Sequence, residues 1–368
     1  MKKILCIVGG MNVGGAETFL MKVFRRLDKT KYSMDFAVAE QKAGAYDTEI
    51  LELGGKIHKI TPKSKSFFQN FKDIKTLVKR EGYDYVLRTS QHSLSALELL
   101  AAKKGGAKVR VYRSSNSNTG TAGKKSVMLH KLCAFMPKRY ANVRIAPSTE
   151  AAEFMFGKGC VQNGKAHLLN NGIDTDVYTY DAEKASAVRE EFGISDKLVL
   201  VHIGRFNYQK NHKFLLEIFA EIAKRRDDAV LLLVGKGELE ADIKKQINEL
   251  SLTEKVIFTG VRSDVPALLS AADLFVMPSF FEGMPNTIIE AQATGLPCVI
   301  SDTITKEANI TGLVKYLPLT DTAENWADVA LSSVSSERKN TLNDFVEHKY
   351  TINEVANEFV KLIFQSQF

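Results

Sequence analysis

The sequence has few cysteines and no long hydrophobic run, and both shortages exclude classes of protein. The four cysteines (Cys6, Cys133, Cys160 and Cys298) are scattered through 368 residues without metal-binding or redox-motif spacing. We therefore expect reduced, structural thiols. No segment approaches the roughly 20 consecutive apolar residues that a membrane-spanning helix needs, and the apolar run in the N-terminal MKKILCIVGG is too short for a secretion signal. The sequence therefore predicts a cytoplasmic protein that does not cross a bilayer.

Acidic residues are scarce in the first half of the chain. Residues 1–175 hold 30 Lys+Arg against 14 Asp+Glu, a net charge of +16, whereas residues 176–368 hold 20 against 29, a net charge of −9. This asymmetry indicates that the first half faces an anionic partner, such as a membrane surface, an acidic lipid or nucleic acid. A solvated basic surface explains it equally well.

Short apolar runs alternate with helical patterns along the whole chain. KILCIVGG precedes the helix-like AETFLMKVFRRL, and after NNGIDTDVY the alternation starts afresh with KLVLVHIGRF. Strands that alternate with helices form parallel sheets with helices on both faces. The sequence thus predicts an α/β protein with two doubly wound, Rossmann-like domains, residues 1–172 and 173–351, that face each other across a cleft. The apolar spacing of residues 352–368 predicts a C-terminal helix that crosses back to the first domain.

A glycine-rich turn follows the first predicted strand. In GGMNVGGAETF, Gly14 and Gly15 allow a ligand to approach the backbone, and the following helix presents free N–H groups that favour a phosphate. The pattern does not match G-x-G-x-x-G, which disfavours a dinucleotide dehydrogenase. A simple strand-to-helix turn is the alternative.

Two cations follow the first strand of the second domain, in HIGRFNYQKNH. Arg205 has a planar fork and Lys210 is a point charge, and together they can converge on a diphosphate. Two solvated charges in a polar loop are the alternative interpretation.

Two acids flank a predicted helix start in FEGMPNTIIE. Pro285 suits a first helical turn, which places Glu282 in the preceding loop and Glu290 more than one turn inside the helix. Glu290 can accept hydrogen bonds from paired hydroxyls such as those of a ribose. Glu282 can reach a ligand site together with the backbone N–H groups of Gly283, Met284 and Asn286.

The order of GGAE, GRFNYQKN, VGKGELE, FTGVRSDV, FEGMPNTIIE and GLPCVISD resembles the family-four retaining glycosyltransferases of the GT-B fold over essentially the whole chain. Glu282 and Glu290 match the E-x7-E signature of that family's donor site. The resemblance implies that Glu282 contacts the transferred sugar and that Glu290 contacts the ribose of a nucleotide diphosphate sugar. It also implies donor contacts from Met284, Asn286 and Thr287.

The same resemblance assigns roles to other residues. Arg205 and Lys210 match the family's diphosphate clamp, the backbone near Val261 and Arg262 matches the nucleobase pocket, and Gly15 matches the loop that meets the phosphates. His92, in LRTSQHSLSA, matches the histidine near the donor sugar, although a lone histidine is more often structural.

The chain departs from the family pattern in two segments. RVYRSSN lies where many members have a pattern like RIAHSHN, so that Asn116 is kept while Arg113 and Ser115 replace histidines. The common E-G-F-G is E-G-M-P here, and Pro285 has no N–H to donate.

Two apparent motifs are rejected. Asp174-Thr175-Asp176 spells a metal-binding D-x-D but lies in the predicted interdomain connection, where we expect a turn. GTAGKKS fails the Walker A spacing.

The resemblance implies metal-independent, retaining transfer of a hexose, with His92, Arg205, Lys210 and Glu282 at the reacting centre. We expect a UDP-sugar donor, no cofactor, no bound metal and no nucleic-acid partner. The acceptor would be a growing glycan on a polyprenyl diphosphate lipid, and the basic first domain would contact the anionic inner face of the membrane. A non-hydrolysing nucleotide-sugar epimerase and an inactive nucleotide-sugar binding module remain alternatives.

Overall fold

The computed structural model describes residues 1–12, 14–115, 123–282 and 284–365. The chain divides into two compact units, which we call the N-terminal and C-terminal units. The N-terminal unit comprises Met1–Gly172 and Lys349–Phe368, and the C-terminal unit comprises Ile173–His348.

The N-terminal unit is an α/β sandwich around a parallel sheet that has seven strands within its described residues. Its strands are β1 (Lys2–Val8), β2 (Tyr32–Val38), β3 (Ile57–Lys59), β4 (Tyr85–Ser90), β5 (Val109–Ser114), β6 (Val143–Ala146) and β7 (His167–Leu168). Its helices before the second unit are α1 (Gly15–Arg26), α2 (Asp47–Glu52), α3 (Phe67–Glu81), α4 (Ala96–Gly105), α5 (Lys124–Leu132), α6 (Met136–Tyr140) and α7 (Thr149–Phe156). The strand order is β3-β2-β1-β4-β5-β6-β7, so the direction of winding reverses between β1 and β4.

The C-terminal unit repeats this plan with six strands within its described residues. Its strands are β8 (Leu198–Ile203), β9 (Ala229–Val234), β10 (Val256–Gly260), β11 (Leu274–Met277), β12 (Cys298–Ser301) and β13 (Val314–Leu317). Its helices are α8 (Ala182–Glu191), α9 (His212–Arg225), α10 (Glu240–Glu249), α11 (Val265–Ala271), α12 (Asn286–Ala293), α13 (Ala323–Ser333) and α14 (Leu342–Glu347). The order β10-β9-β8-β11-β12-β13 places the reversal between β8 and β11.

Hydrophobic burial explains why these segments are strands. The central strands LVLVHI, AVLLLV, LFVM and CVIS are buried at every position. Parallel strands covered by helices on both faces have such continuous apolar sequences, whereas strands with one wet face alternate. The predicted fold class, two doubly wound α/β domains, is confirmed.

The last helix belongs to the N-terminal unit, as the apolar spacing predicts. α15 (Ile352–Val360) continues into a π-helical turn, Lys361–Gln365. Ile352, Val355 and Phe359 are buried in the same hydrophobic core as Phe19 and Val23 of α1. At 25 cal/mol per Å² of apolar surface, each such side chain contributes roughly 1.5–3 kcal/mol of burial free energy.

Two helices of the N-terminal unit differ in how they use their apolar residues. On α3, Ile74, Leu77 and Val78 face the core, but Phe68 at its start is 86% exposed. On α5 and the turn after it, the large apolar side chains are mostly exposed instead. They are Met128, Leu129, Leu132 and Phe135.

Candidate functional site

The candidate donor site lies where the winding of the C-terminal sheet reverses. β8 and β11 are parallel neighbours, and the loop after β8 carries Lys210 while the loop after β11 carries Glu282. Open α/β sheets bind ligands at this kind of reversal, at the carboxyl ends of the strands. The topology therefore brings together two residues that are 72 positions apart in sequence.

The loop after β8 is fixed by its asparagines. Asn207 caps a 3₁₀ turn, Tyr208–Lys210, by accepting a hydrogen bond from the Lys210 N–H through its side chain, at 3.3 Å. Asn211 adopts a left-handed backbone conformation with φ 52°, a region that asparagine tolerates better than most residues. Its side-chain amide donates to the Pro278 carbonyl at 3.0 Å, which joins this loop to the loop after β11.

Lys210 and Glu282 form the ion pair at the centre of the site. The Lys210 Nζ lies 2.8 Å from Oε1 of Glu282, and the side chains are 13% and 9% exposed. The other carboxylate oxygen accepts a hydrogen bond from Gln209 Nε2 at 2.9 Å. Both oxygens of Glu282 are therefore satisfied, and the ammonium group is held in one place with little solvent around it.

Arg205 has a different partner in this structure. Its guanidinium lies 3.1 Å from Glu238 in the loop after β9, and the two side chains are 72% and 56% exposed. Exposed ion pairs of this kind contribute about 0–1 kcal/mol, so the long Arg205 side chain can leave Glu238 at little cost. The structure brings Lys210 and Glu282 into contact, while Arg205 lies at the exposed side of the same loop.

Two glycines in VGKGELE allow the loop after β9 to pass close to the loop after β8. A Cβ at Gly235, where φ is +140°, would lie 2.0 Å from the Gly204 carbonyl oxygen. A Cβ at Gly237 would lie 2.3 Å from the Phe206 carbonyl oxygen. Side chains at these positions would push the backbone that carries Arg205 out of place.

The helix of the E-x7-E segment starts one residue later than the sequence suggested. Pro285 is the residue before the helix, with φ −78° and ψ 108°, and α12 begins at Asn286. A proline at a helix boundary loses no helical hydrogen bond, whichever of these two positions it takes. Glu290 is half-buried inside α12 and lies one turn beyond Asn286 on the same face of the helix.

Two other predicted residues of this segment, Thr287 and Met284, lie in different environments. Thr287 follows Asn286 in the first turn of α12, and Met284 packs partly against the hydrophobic core. Gly283 lies outside the residues that the structure describes.

The predicted nucleobase segment follows β10. The Val261 side chain is 69% exposed. The Arg262 side chain forms bidentate ion pairs with Glu191 at 2.7 and 2.9 Å and with Asp264 at 2.8 and 2.6 Å. These carboxylates raise the pKa of Arg262 above its usual value. Its side chain therefore anchors the loop, which leaves the backbone as the group available for a base.

In the N-terminal unit, the predicted phosphate loop ends at a helix N-terminus. Gly14 is the N-cap of α1 with an extended backbone, it makes no side-chain cap, and Gly15 is the first helical residue. Glu17 lies in the first turn, where burial raises its pKa, while Arg88 and Arg113 act in the opposite direction.

His92 follows β4 and uses both ring nitrogens within the N-terminal unit. Nδ1 accepts a hydrogen bond from the Leu94 N–H at 3.2 Å, and Nε2 lies 3.0 Å from the Ser126 carbonyl oxygen in the first turn of α5. This arrangement assigns the proton to Nε2. In this structure His92 caps a 3₁₀ turn, Ser93–Ser95, and ties α5 to it.

Sequence reasoning missed the burial of two arginines, Arg88 and Arg113, near the carboxyl ends of β4 and β5. Arg88 donates to the Ile7 carbonyl at 2.9 Å and pairs with Glu98, which is 5% exposed. Arg113 is 2% exposed, donates to Asn171 Oδ1, and stacks on the Phe19 ring. Burial lowers the pKa of Arg113 to about 9. The signal in the sequence was an arginine inside each of two strand-like runs, YDYVLRT and RVYRS.

A second missed feature is a pair of buried histidines behind Lys210. His202 on β8 and His212 at the start of α9 have ring centroids 4.9 Å apart in an edge-to-face contact. His202 Nδ1 donates to the Val276 carbonyl at 2.8 Å, and burial lowers the pKa of His212 to about 4. Both rings are neutral near pH 7 and fill the space under the loop that carries Lys210.

The rejected metal motif behaves as a turn. The N–H groups of Val177 and Tyr178 both donate to the Asp174 carbonyl. Within residues 1–12, 14–115, 123–282 and 284–365, no group of three or more His, Cys, Asp or Glu side chains could hold a metal ion. Part of GTAGKKS, together with Asn116, lies outside the described residues.

Comparisons with known proteins decide the family. Residues 13–177 match the model of Glycosyltransferase Family 4, and residues 197–335 match that of Glycosyl transferases group 1. The chain is also 33% identical over 342 residues to a Bacillus subtilis protein named glycosyltransferase EpsF, covering 92% of this chain and 89% of that protein. The chain belongs to the family 4 glycosyltransferases. The expectation drawn from its motifs is therefore confirmed at the level of the family.

A second relative of this glycosyltransferase is the Escherichia coli UDP-Gal:alpha-D-GlcNAc-diphosphoundecaprenol alpha-1,3-galactosyltransferase, 30% identical over 242 residues, which are 63% of this chain and 62% of that enzyme. Among solved structures, Anabaena Alr3699/HepE in complex with UDP and glucose superposes with a TM-score of 0.79 at 18% identity, covering 100% of both chains. WaaG, a glycosyltransferase involved in lipopolysaccharide biosynthesis, superposes with a TM-score of 0.72 at 14% identity, covering 99% of this chain and 100% of WaaG. These likenesses show that the glycosyltransferase has the GT-B fold.

Proposed function

We propose that the protein is a retaining hexosyltransferase that takes its sugar from a UDP-sugar. The observation that carries the proposal is the ion pair of Lys210 and Glu282 at the winding reversal of the C-terminal sheet. The E. coli relative takes a UDP-linked sugar by its name, and HepE was crystallised with UDP and with UDP-glucose. The names of these two proteins support a uridine nucleotide as the donor.

Lys210 has the role of stabilising the leaving diphosphate. Negative charge develops on the β-phosphate as its oxygen separates from the anomeric carbon, and an ammonium group held with 13% exposure acts there at low local dielectric. Arg205 leaves Glu238 and adds a second, bidentate cation. Because these side chains supply the charge, we propose that the reaction needs no divalent metal.

Glu282 has the role of orienting the transferred sugar. Its carboxylate is an acceptor of hydrogen bonds only, so it binds sugar hydroxyls once Lys210 turns toward the phosphate. For a retaining reaction, the bond between the anomeric carbon and the diphosphate breaks, and the acceptor oxygen bonds to the same face of that carbon. The acceptor proton then passes to the departing diphosphate oxygen, which balances the exchange.

We propose that the nucleoside is held by Glu290, Asn286, Thr287, Met284 and the backbone at 261–262. Asn286 and Glu290 share one face of α12, which suits a ligand with paired hydroxyls such as a ribose. The contributions of Gly14, Gly15, Gly283 and His92 stay predictions from the sequence. For His92, a donor contact would require it to give up a hydrogen bond to Leu94 or Ser126.

The donor and the metal requirement are tested together. The purified protein is incubated with a panel of UDP- and GDP-sugars without acceptor, with and without EDTA, and released sugar is measured by mass spectrometry. We expect slow release from one UDP-hexose at the same rate in EDTA. Release only from GDP-sugars, or activity that disappears with EDTA and returns with a divalent metal, would contradict the proposal, and conversion to an epimer would identify an epimerase instead.

We further propose that the acceptor is a growing glycan on a polyprenyl diphosphate lipid, used in the synthesis of a surface polysaccharide. The E. coli relative acts on a lipid of this kind by its name. The described part of the chain contains no helix long and apolar enough to span a bilayer. We propose that the protein reaches the lipid from the membrane surface.

The surface of α5 is the proposed membrane contact. We define the α5 surface as the exposed apolar side chains of this helix and the following turn, with the exposed cations between and beyond them. The apolar members are Met128, Leu129, Leu132 and Phe135, and the cations are Lys125, Lys131, Lys138 and Arg139. Each cation near an anionic leaflet contributes about 1 kcal/mol, and the apolar side chains can insert at the headgroup boundary.

Liposome flotation tests this contact. The protein should float with vesicles that contain anionic lipid, and the variant Met128→Glu/Leu132→Glu should float much less. Leu342→Glu, at a 48% exposed residue of the C-terminal unit, is the matched control and should float like the wild type. Equal flotation with neutral and anionic vesicles, or no flotation at all, would contradict a membrane contact through the α5 surface.

A further inference from the structure

The two loops that hold Lys210 and Glu282 also carry two aromatic rings in parallel contact. Tyr208 lies two residues before Lys210, and Phe280 lies two residues before Glu282. Their ring centroids are 4.7 Å apart and their planes differ by 21°. Tyr208 is nevertheless 66% exposed. We call this pair the aromatic stack.

The aromatic stack is held in place by the backbone on both sides. The Phe280 N–H donates to the Gln209 carbonyl at 2.9 Å, next to Tyr208 in sequence. Tyr208 begins the 3₁₀ turn that Asn207 caps, and Asn211 ties the end of that turn to Pro278. A single exposed apolar side chain is ordinary on a protein surface. A rigidly mounted, stacked ring beside a binding site differs, because it has little freedom left to lose when a ligand binds.

The chemistry around the aromatic stack suits a sugar ring. A hexose has a face of C–H groups, which the electron-rich face of an aromatic ring attracts, and a rim of hydroxyls. Groups that bind hydroxyls lie in the same two loops: the Gln209 amide, the Glu282 carboxylate and the exposed Arg205 guanidinium. An aromatic face beside such groups can hold both parts of a pyranose.

We propose that the aromatic stack is a sugar-binding platform of this glycosyltransferase. It takes a hexose ring, which comes either from the UDP-sugar or from the acceptor glycan. The inference rests on the proposed function and adds a residue, Tyr208, that no motif singled out. A nucleobase could also stack on an aromatic ring. The position of the aromatic stack favours the sugar. Phe280 lies two residues from Glu282, the acid proposed to orient the sugar, and Val261 of the predicted nucleobase segment lies in a different loop.

Saturation-transfer NMR tests the platform without requiring turnover. The wild type, Tyr208→Ala, Tyr208→Phe and Leu342→Ala are each mixed with UDP, with UDP-glucose or UDP-galactose, and with methyl α-N-acetylglucosaminide in the presence of UDP. In Tyr208→Ala we expect the sugar protons of one probe to lose saturation and its affinity to fall about threefold to tenfold, the range expected for one aromatic contact. The uracil protons should be saturated as in the wild type. Tyr208→Phe and Leu342→Ala should both bind like the wild type.

The outcomes distinguish a donor sugar from an acceptor sugar, and they distinguish failure of the platform from failure of the proposed function. Loss confined to the UDP-sugar identifies the donor hexose, and loss confined to the glycoside identifies the acceptor. Equal saturation of all sugar protons in the wild type and Tyr208→Ala overturns the platform, and so does loss of the uracil signal. If UDP and the UDP-sugars fail to bind even the wild type, the proposed function fails and the platform loses its basis with it.

Discussion

Removing the charge of Lys210 should destabilise the protein before any substrate is added. In the structure its ammonium group is 2.8 Å from Glu282, and both side chains are about a tenth exposed. The change Lys210→Met keeps an unbranched side chain one atom shorter but leaves the carboxylate without its cation. Loss of one partner from a buried ion pair costs about 3–5 kcal/mol, mostly because the other charge stays buried.

The structure places Lys210→Met at the lower end of that range. Gln209 still donates to Glu282 at 2.9 Å, and some solvent reaches the pair, so we expect a loss of about 3 kcal/mol in the free energy of unfolding. At about 2–4 °C per kcal/mol, the melting temperature of the C-terminal unit should fall by roughly 6–12 °C. Glu282→Gln should destabilise by a similar amount, since it leaves the ammonium group unpaired.

The assay is a double-mutant cycle with circular dichroism during denaturant unfolding. Lys210→Met/Glu282→Gln removes both charges, so it should lose much less stability than the sum of the two single changes. Arg205→Met is the matched control, because its ion pair with Glu238 is exposed and should contribute less than about 1 kcal/mol. The reasoning is refuted if Lys210→Met costs less than about 0.5 kcal/mol, or if the two single changes simply add.

Three further predictions follow from other parts of the C-terminal unit. Arg205→Ala should leave the free energy of unfolding within about 0.5 kcal/mol of the wild type yet lower the rate of sugar release from the donor by roughly 10²–10³-fold. Glu238→Ala should be close to the wild type in both measurements, and a normal rate in Arg205→Ala would show that Arg205 is not part of the diphosphate clamp. Burial lowers the pKa of His212 from 6.5 to about 4, so the unfolded chain binds more protons than the folded one between these values. Stability should therefore fall as pH decreases from about 6.5 to about 4. His212→Leu should reduce that pH dependence by about 3 kcal/mol in denaturant titrations, at about 1.4 kcal/mol per pKa unit, and an unchanged pH profile would contradict the neutral buried ring. Gly235→Ala should lower both the stability and the rate of donor hydrolysis, because its Cβ would collide with the Gly204 carbonyl. Gly193→Ala is the control, since this glycine has a positive φ but no atom near its Cβ, and it should lower the stability alone. Equal hydrolysis rates in Gly235→Ala and the wild type would show that the loop tolerates the shift.

Much of the fold could be predicted because continuous apolar runs and helical spacing are local properties of the sequence. LVLVHI and AVLLLV are short, almost entirely apolar and rich in valine, which favours buried strands, and the spacing of INEVANEFVKLIFQ predicts the face of α15 that meets α1. The short strand β7 has no such signal, since His167 and Leu168 are both exposed, although they pair with β6.

The candidate site was predictable as a set of residues but not as a set of contacts. Spacing identified Lys210 and Glu282, yet their ion pair depends on β8 and β11 being neighbours in the sheet, which no local pattern states. The partner of Arg205 depends likewise on the loop after β9. For His92, the family resemblance implied a place near the donor sugar, but no local pattern indicated that its two ring nitrogens bond to Leu94 and Ser126.

The most direct test of the proposed chemistry is the anomer of the first sugar released. Wild type and Lys210→Met are incubated with the UDP-α-hexose that the donor panel selects, and the product is followed by proton NMR from the first minutes, before the anomers interconvert. We expect the wild type to release the α-anomer, because water takes the place of the acceptor on the face from which the diphosphate leaves, and Lys210→Met to release almost none. Initial release of the β-anomer, or equal rates in the two proteins, would contradict a retaining transferase that depends on Lys210.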